Sequence, residues 1–108
     1  MTQYTSKDIY ADSNFEKEIN LFPDDIREEM YLLFSELSDY GFLEYPNAKK
    51  LSGTDLFEVR VNHDGAWRCI YAYTQNHIVL LSAFRKKTLK TPLRMINICL
   101  QRLTNLKN

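Results

Sequence analysis

The stretch from Leu56 to Arg102 reads LFEVRVNHDGAWRCIYAYTQNHIVLLSAFRKKTLKTPLRMINICLQR, and it determines the fold of this chain. It contains three apolar-rich runs separated by short polar turns, and Asp64-Gly65 between the first two is a strong hairpin signal. Thr91 and Pro92 are typical of the N-cap and the first position of a helix. The stretch therefore predicts antiparallel strands followed by a C-terminal helix.

Alternation along the first predicted strand, from about Leu56 to Asn62, indicates which side chains share a face. Glu58 and Arg60 alternate with three apolar residues, which are Phe57, Val59 and Val61. Because side chains of a strand point to opposite faces in turn, the apolar residues are expected to face helices. Arg60 is then expected on the opposite face of the sheet.

The next two runs extend this sheet. In the second strand, Trp67 to Thr74, alternation places Arg68, Ile70 and Ala72 on one face. The third strand, His77 to Phe84, is apolar at consecutive positions. A strand that is apolar on both faces is expected to be covered on both sides.

The N-terminal half predicts two helices. The first begins at Ser13 or Asn14, and Pro23 separates it from the second because proline disfavours helix at the residue before it. The second helix is expected to end at Tyr40, with Gly41 as its C-terminal cap. Acidic residues between apolar ones suggest a solvated outer face, and a docking surface for a basic partner is the alternative.

These elements define an α+β fold, in which an N-terminal two-helix hairpin packs on a small, mostly antiparallel sheet and a C-terminal helix follows. Residues 9–11 fit a short edge strand, and residues 42–54 are predicted to be a connector rich in turn residues. We find no linker composition and no internal repeat, so residues 1–108 are expected to form one domain.

Composition excludes several classes of protein. The chain is 44% hydrophobic, which is enough to bury a core, and its apolar runs are shorter than the ~20 residues of a membrane span. The N-terminus lacks the apolar region of a signal peptide, so a cytoplasmic protein is expected. Cys69 and Cys99 lie in apolar runs and are predicted to be buried thiols, and no cluster of residues has metal-ligand spacing.

Charge is divided unequally between the two halves of the chain, although the formal net charge is zero. Residues 1–48 contain three basic and eleven acidic side chains, and residues 49–108 contain eleven basic and three acidic ones. Such asymmetry indicates a polyanion site on the second half. The alternative is that the two halves neutralise each other in the fold.

The cations of the second half suggest a phosphate site. Arg60 and Arg68 lie on adjacent predicted strands, and three further cations follow the third strand, namely Arg85, Lys86 and Lys87. Arginine binds phosphate through a bidentate fork, and such a cluster can stabilise charge that develops on a phosphorane. The alternatives are an ion pair of Arg60 with Glu58 and a solubilising end to an apolar strand.

Several motifs in order resemble the RelE/HigB-like toxins of bacterial type II toxin–antitoxin systems, within the RelE/ParE superfamily. The similarity extends roughly from Asn14 to Arg102. The matching residues are Phe15-Glu16-Lys17-Glu18, Leu21-Phe22-Pro23, Lys50-Leu51-Ser52-Gly53, Leu56-Phe57-Glu58-Val59-Arg60, Trp67-Arg68-Cys69-Ile70-Tyr71, Leu80 to Thr88, and Lys90-Thr91-Pro92.

This resemblance implies the fold predicted above and a metal-independent mRNA endoribonuclease without a cofactor, in which the ribose 2′-hydroxyl attacks the adjacent phosphate and translation is inhibited. It also implies a cognate antitoxin as partner, mRNA that is bound either free or on the ribosome, and a toxin–antitoxin complex that binds operator DNA. The implied catalytic residues are Arg60, Arg68, Lys86 and Lys87. The residues expected to add RNA contacts are Lys49, Lys50, Arg85 and Lys90.

Two departures from the family pattern bear on the mechanism. Ser82-Ala83 stands where many relatives have His-Gly, and Met95 replaces a common glutamate. Two other functions are compatible with the resemblance. A ParE-like relative inhibits DNA gyrase without cleaving RNA, and an inactive relative only binds its antitoxin or operator DNA. The clustered cations favour the nuclease, because a gyrase inhibitor needs no phosphate site.

Overall fold

The computed structural model describes residues 5–107, which form a five-stranded sheet with helices on both faces. The strands are β1 Asp8–Ala11, β2 Ala48–Lys50, β3 Leu56–Val61, β4 Ala66–Tyr73 and β5 His77–Lys86. The helices are α1 Ser13–Ile19, α2 Asp24–Tyr40 and α3 Leu93–Lys107. None of the helices within the described residues has the length and apolar character needed to cross a membrane.

The strand order is β1-β5-β4-β3-β2, and every pair is antiparallel except β1 with β5. The α+β class and the C-terminal helix are confirmed, and so is the edge strand expected at residues 9–11. The N-terminal two-helix hairpin is not confirmed, because β1 precedes both helices. The predicted connector at residues 42–54 contains β2, a strand too short to show periodicity.

The first face of the sheet is covered by α1 and α2. Helix α2 buries one stripe of side chains at helical spacing, which are Ile26, Met30, Phe34 and Leu37. It ends at Gly41, whose φ of 80° places it in the left-handed region, and the Gly41 N–H donates to the carbonyl of Leu37. The apolar residues of β3 pack into this layer, as alternation predicts.

Helix α3 covers one end of the second face. Cys99 is fully buried there, with Ile96 and Leu103 beside it. Their partners on the sheet are Leu56, Ile70, Ala72, Val79 and Leu81. These sheet residues lie toward the start of β3, the end of β4 and the start of β5. The opposite end of the same face carries Arg60 and Arg68.

An irregularity in β5 accommodates an ion pair between α1 and α3. The register of β4 with β5 shifts between Ile70 and Tyr71, which leaves Leu81 as an extra residue. Arg102 of α3 donates to both carboxylate oxygens of Glu18 at 2.9 and 3.0 Å and to the carbonyl of Leu81 at 2.8 Å. Glu18 also accepts from the N–H of Ala83 at 3.2 Å. The hydrogen bond with Glu18 raises the pKa of Arg102.

This contact generates a prediction about stability. Arg102→Met preserves most of the aliphatic stem but removes the charged hydrogen bonds, so we expect it to lower the free energy of unfolding by about 2 kcal/mol. Arg94→Met on the same helix is the control, because Arg94 is exposed, and its effect should stay within about 0.5 kcal/mol. Urea unfolding measures both variants, and equal stabilities would show that the ion pair does not hold α1 and α3 together.

Candidate functional site

Three cations meet on the uncovered end of the second face, and we call them the cationic cluster: Arg60, Arg68 and Lys86. Arg60 and Arg68 are direct partners across β3 and β4, and Lys86 pairs with Ala66 near the end of β5. Like charges placed directly opposite each other on neighbouring strands destabilise a sheet. A compensating group is therefore required.

Glu58 provides the compensating charge. Its side chain is buried, and its Oε1 lies 3.8 Å from Nε of Arg60 and 3.7 Å from Nε of Arg68. Its Oε2 accepts a hydrogen bond from the Thr91 hydroxyl at 2.8 Å. One carboxylate thus contacts both arginines and the residues that lead into α3. Glu58 also pairs across β2 with Lys49.

The two guanidinium groups are fixed in different ways. Nη1 of Arg68 donates to the side chain of Asn62 and to the carbonyl of Trp67, both at 2.9 Å. Among the described residues, Nε of Arg60 and Nε of Arg68 are buried and lack a hydrogen-bond partner. Burial lowers the pKa of Arg68, and the charge of Glu58 opposes that shift. Arg68 is therefore a rigid, buried cation, and Arg60 is only partly enclosed.

Lys86 is the titratable member of the cluster. Its pKa is lowered, mainly because partial burial disfavours the charged amine, and the positive charges of Arg68, Arg60 and Lys49 add to the effect. The negative charge of Glu58 acts in the opposite direction. A lysine with a lowered pKa exchanges its proton more readily near neutral pH than an isolated lysine does.

A pocket of about 260 Å³ opens beside the cluster. Its lining includes one carboxylate and four lysines, which are Glu58, Lys49, Lys50, Lys86 and Lys90. Leu89 and Ile96 add apolar surface. A shallow pocket with such an excess of positive charge suits a phosphate group of a larger anion.

The structure separates the predicted site residues into two groups. It brings together Arg60, Arg68 and Lys86, and it places Lys49, Lys50 and Lys90 at the adjoining pocket. Arg85 lies on the other face of β5, where its guanidinium carbon is 5.2 Å from the centroid of the Trp67 ring. Lys87 is exposed just beyond the end of β5 and is not among the residues that line the pocket.

Asn62 and Thr91 were not predicted as residues of the site, and Glu58 was predicted only as an alternative ion-pair partner of Arg60. Glu58 and Arg60 are two residues apart on one strand and therefore share a face, which is a signal that could have identified the carboxylate. Thr91 was expected only to cap α3, and it binds Glu58 instead. Asn62 follows β3 directly, and only the fold brings its amide oxygen to Arg68.

Other reactive side chains lie outside this site. Ser82, at the position where many relatives have histidine, is fully buried. Cys69 and Cys99 are buried free thiols, as predicted, and burial raises the pKa of Cys69 well above its usual range and that of Cys99 to about 12. Both thiols therefore stay protonated at neutral pH.

A group of possible metal ligands lies elsewhere. Asp25, His63 and Asp64 bring ligand atoms within 4.8 Å of one another, but all three are exposed. They belong to α2 and to the turn between β3 and β4, and none of them lines the pocket beside the cationic cluster. Exposed acidic groups of this kind are common without an ion.

Solved structures of toxins share this fold. A mutant of the E. coli toxin RelE in the free state matches with a TM-score of 0.67 and 16% identity, over 94% of this chain and 99% of that chain. A chain of the RelB-RelE antitoxin–toxin complex from Methanococcus jannaschii has a TM-score of 0.61 and 19% identity, with coverages of 72% and 91%. A chain of the toxin–antitoxin complex RelBE2 from Mycobacterium tuberculosis has a TM-score of 0.54 and 17% identity, with coverages of 82% and 97%.

The fold is therefore that of the RelE toxins, and the resemblance to RelE-like toxins in the sequence motifs is confirmed. A family model described as "Phage derived protein Gp49-like (DUF891)" matches residues 17–104. Because this match covers most of the chain, the protein belongs to the Gp49-like family. A comparison with curated proteins gave no match.

The position of Glu58 generates a prediction. Glu58→Gln preserves the shape of the side chain but leaves two guanidinium charges without their buried counter-charge, so we expect the free energy of unfolding to fall by about 3 kcal/mol. The control is Asp55→Asn, which removes a fully exposed carboxylate next to β3 and should change stability by less than about 0.5 kcal/mol. Denaturant unfolding of both variants provides the measurement, and equal stabilities would contradict this role for Glu58.

Proposed function

We propose that this protein is the toxin of a type II toxin–antitoxin pair and that it cleaves mRNA without a metal ion. The observation that carries the proposal is the cationic cluster, because Arg60, Arg68 and Lys86 share one end of the second face, beside a lysine-lined pocket to which Lys86 contributes. The similarity to RelE toxins supports the toxin class. The nuclease activity is our inference from the geometry.

The reaction proposed is attack of a ribose 2′-oxygen on the adjacent phosphorus. The 2′-hydroxyl loses its proton to bulk water as the new bond forms, and the bond to the 5′-oxygen of the next nucleotide breaks. A 2′,3′-cyclic phosphate and a 5′-hydroxyl result. Extra negative charge accumulates on the phosphate oxygens in the transition state, and Arg60 and Arg68 are positioned to stabilise it. Glu58 acts as a positioning residue, because it contacts both arginines from the buried side.

Lys86 is assigned to the proton transfer that follows. The departing 5′-oxygen requires a proton, and an ammonium group with a lowered pKa is a suitable donor. Lys49, Lys50 and Lys90 would bind neighbouring phosphates, and Lys87 and Arg85 would add weaker electrostatic attraction from the edge of the site. Ser82 is buried and takes no part.

The proposal also includes a partner. Two of the similar structures are antitoxin–toxin complexes, from Methanococcus jannaschii and Mycobacterium tuberculosis. We infer that this protein also binds a cognate antitoxin, and that the complex binds operator DNA. An antitoxin that covers the cationic cluster would block access of RNA to it.

Induced expression tests the proposed function. We expect the wild type to arrest growth and to generate new mRNA 5′ ends in translated regions. Arg68→Ala combined with Lys86→Ala should lower cleavage by about 100-fold or more, because two groups that stabilise the transition state are lost. The control, Lys7→Ala with Lys17→Ala, removes the same charge from the acidic half and should leave both effects intact.

The outcomes of this experiment separate the candidate functions. Growth arrest without new 5′ ends would contradict the nuclease and favour inhibition of gyrase. Loss of cleavage in the control variant as well would mean that net charge matters and the cluster does not. A third variant, Arg85→Ala with Lys87→Ala, should have a smaller effect than the cluster variant, since Arg85 lies on the other face.

The pH dependence of cleavage tests the role of Lys86. If its ammonium form is the proton donor, the rate falls as pH rises through the lowered pKa of Lys86, below the ordinary value of 10.5. Lys86→Arg keeps the charge but does not titrate in this range, so it should lower the maximal rate and remove the alkaline fall. If the wild-type rate instead rises with pH, the proposed role of Lys86 as proton donor is contradicted. If the alkaline fall is unchanged in Lys86→Arg, the fall is caused by the titration of another group.

A further inference from the structure

An exposed aromatic ring stands at the edge of the cationic cluster. Tyr45 is 72% exposed, and the guanidinium carbon of Arg60 lies 5.7 Å from the centroid of its ring. Arg68 is the partner of Arg60 on the neighbouring strand β4. Tyr45, Arg60 and Arg68 therefore form a row across the sheet, with an aromatic ring at one end and a buried cation at the other.

The turn that carries Tyr45 is fixed to the cluster by backbone hydrogen bonds. The N–H groups of Asn47 and Ala48 both donate to the carbonyl of Glu44, at 2.9 and 3.2 Å, which closes the turn. The carbonyl of Asn47 accepts from the N–H of Arg60 at 2.8 Å. The place of the Tyr45 ring is thus set relative to the residue that we expect to bind phosphate.

Tyr45 is exposed, whereas Tyr71 of the neighbouring sheet is part of the core. Tyr71 is buried and its ring stacks on Phe57 at 5.4 Å between centroids, whereas most of the Tyr45 surface is in contact with solvent. Of the other exposed apolar residues, Leu21 lies in the turn between α1 and α2, and Leu32 lies on α2. Tyr45 differs from them because it adjoins the cluster.

We propose that Tyr45 is a stacking platform for an unpaired RNA base next to the phosphate held by the cationic cluster. This inference rests on the proposed function and adds a base-binding subsite to it. A base is joined through its sugar to the phosphate, so a phosphate at Arg60 brings an adjacent base to the neighbouring ring. Arg60 strengthens the subsite, since a cation over an aromatic face is itself favourable.

The chemistry of this subsite defines what it recognises. Stacking on an aromatic ring accepts any base, because every base has a π-face, so Tyr45 adds affinity with little choice among bases. Lys49 and Lys50 follow Tyr45 on the edge strand β2 and are exposed. They extend the positive surface away from the cluster, where the continuing RNA backbone would lie.

The experiment measures binding of 2′-O-methyl oligonucleotides, which cannot be cleaved because they lack the attacking hydroxyl. One probe is an octamer of adenosine, and the other is an abasic octamer with the same phosphates. Tyr45→Phe keeps the ring, and Tyr45→Leu keeps apolar bulk without a π-face. We expect the leucine variant to bind the adenosine probe on the order of 10-fold more weakly than the wild type, and the phenylalanine variant to match the wild type. All three proteins should bind the abasic probe equally.

Each outcome has a defined meaning. Equal binding of the adenosine probe by the leucine and phenylalanine variants would overturn the stacking role and leave Tyr45 as a cover for Arg60. Weaker binding of both probes by the leucine variant would show that Tyr45 acts by positioning Arg60. This result would also overturn the stacking role. A wild type that binds neither probe would contradict the proposed RNA function itself, and this result is distinct from the other two.

Discussion

One buried carboxylate, that of Glu58, makes the arrangement of this sheet possible. Two arginines face each other across β3 and β4, and their repulsion would favour another register unless a negative charge lay between them. Oε1 of Glu58 contacts both, and Oε2 binds Thr91 just before the C-terminal helix. The same contact therefore permits the strand pairing, orients the guanidinium groups and sets where α3 begins. Positive charge remains in excess because, among the described residues, the pocket is lined by one carboxylate and four lysines.

The unequal cover of the second face explains where the site lies. Cys99, Ile96 and Leu103 of α3 bury the apolar end of that face, and the helix begins only after the chain has passed Glu58. Glu58 pairs with Ile70, at the boundary between the apolar end and the charged end. Because none of the helices in residues 5–107 covers the charged end, Arg60 and Lys86 stay partly accessible, whereas Arg68 on the strand between them is buried. The packing that stabilises the fold thus also leaves the site open to a large anion.

Sequence patterns predicted the parts of the fold that repeat. Alternation in β3 predicted that Arg60 lies on the face opposite the helices α1 and α2, and the continuous apolar run of β5 predicted cover on both sides, both as observed. That Arg68 shares the face of Arg60 follows from the register of β3 with β4. The helical stripes and Gly41 likewise located α2. Features without periodicity were missed: the three-residue β2 and the hydrogen bond from Thr91 to Glu58 depend on long-range contacts. Because β5 was predicted to end at Phe84, its alternation was not extended to Arg85 and Lys86, which lie on opposite faces.

The parallel pairing of β1 with β5 has a consequence for the order of folding. Asp8 lies beside His77, so the first strand of the chain can join the sheet only after the last strand has formed. The hairpins that link β3, β4 and β5 are local and close quickly, whereas a contact between distant segments must overcome a larger loss of chain entropy. The arginines and Lys86 also come from these late segments. The cationic cluster is therefore complete only once β5 has joined β4 and β3.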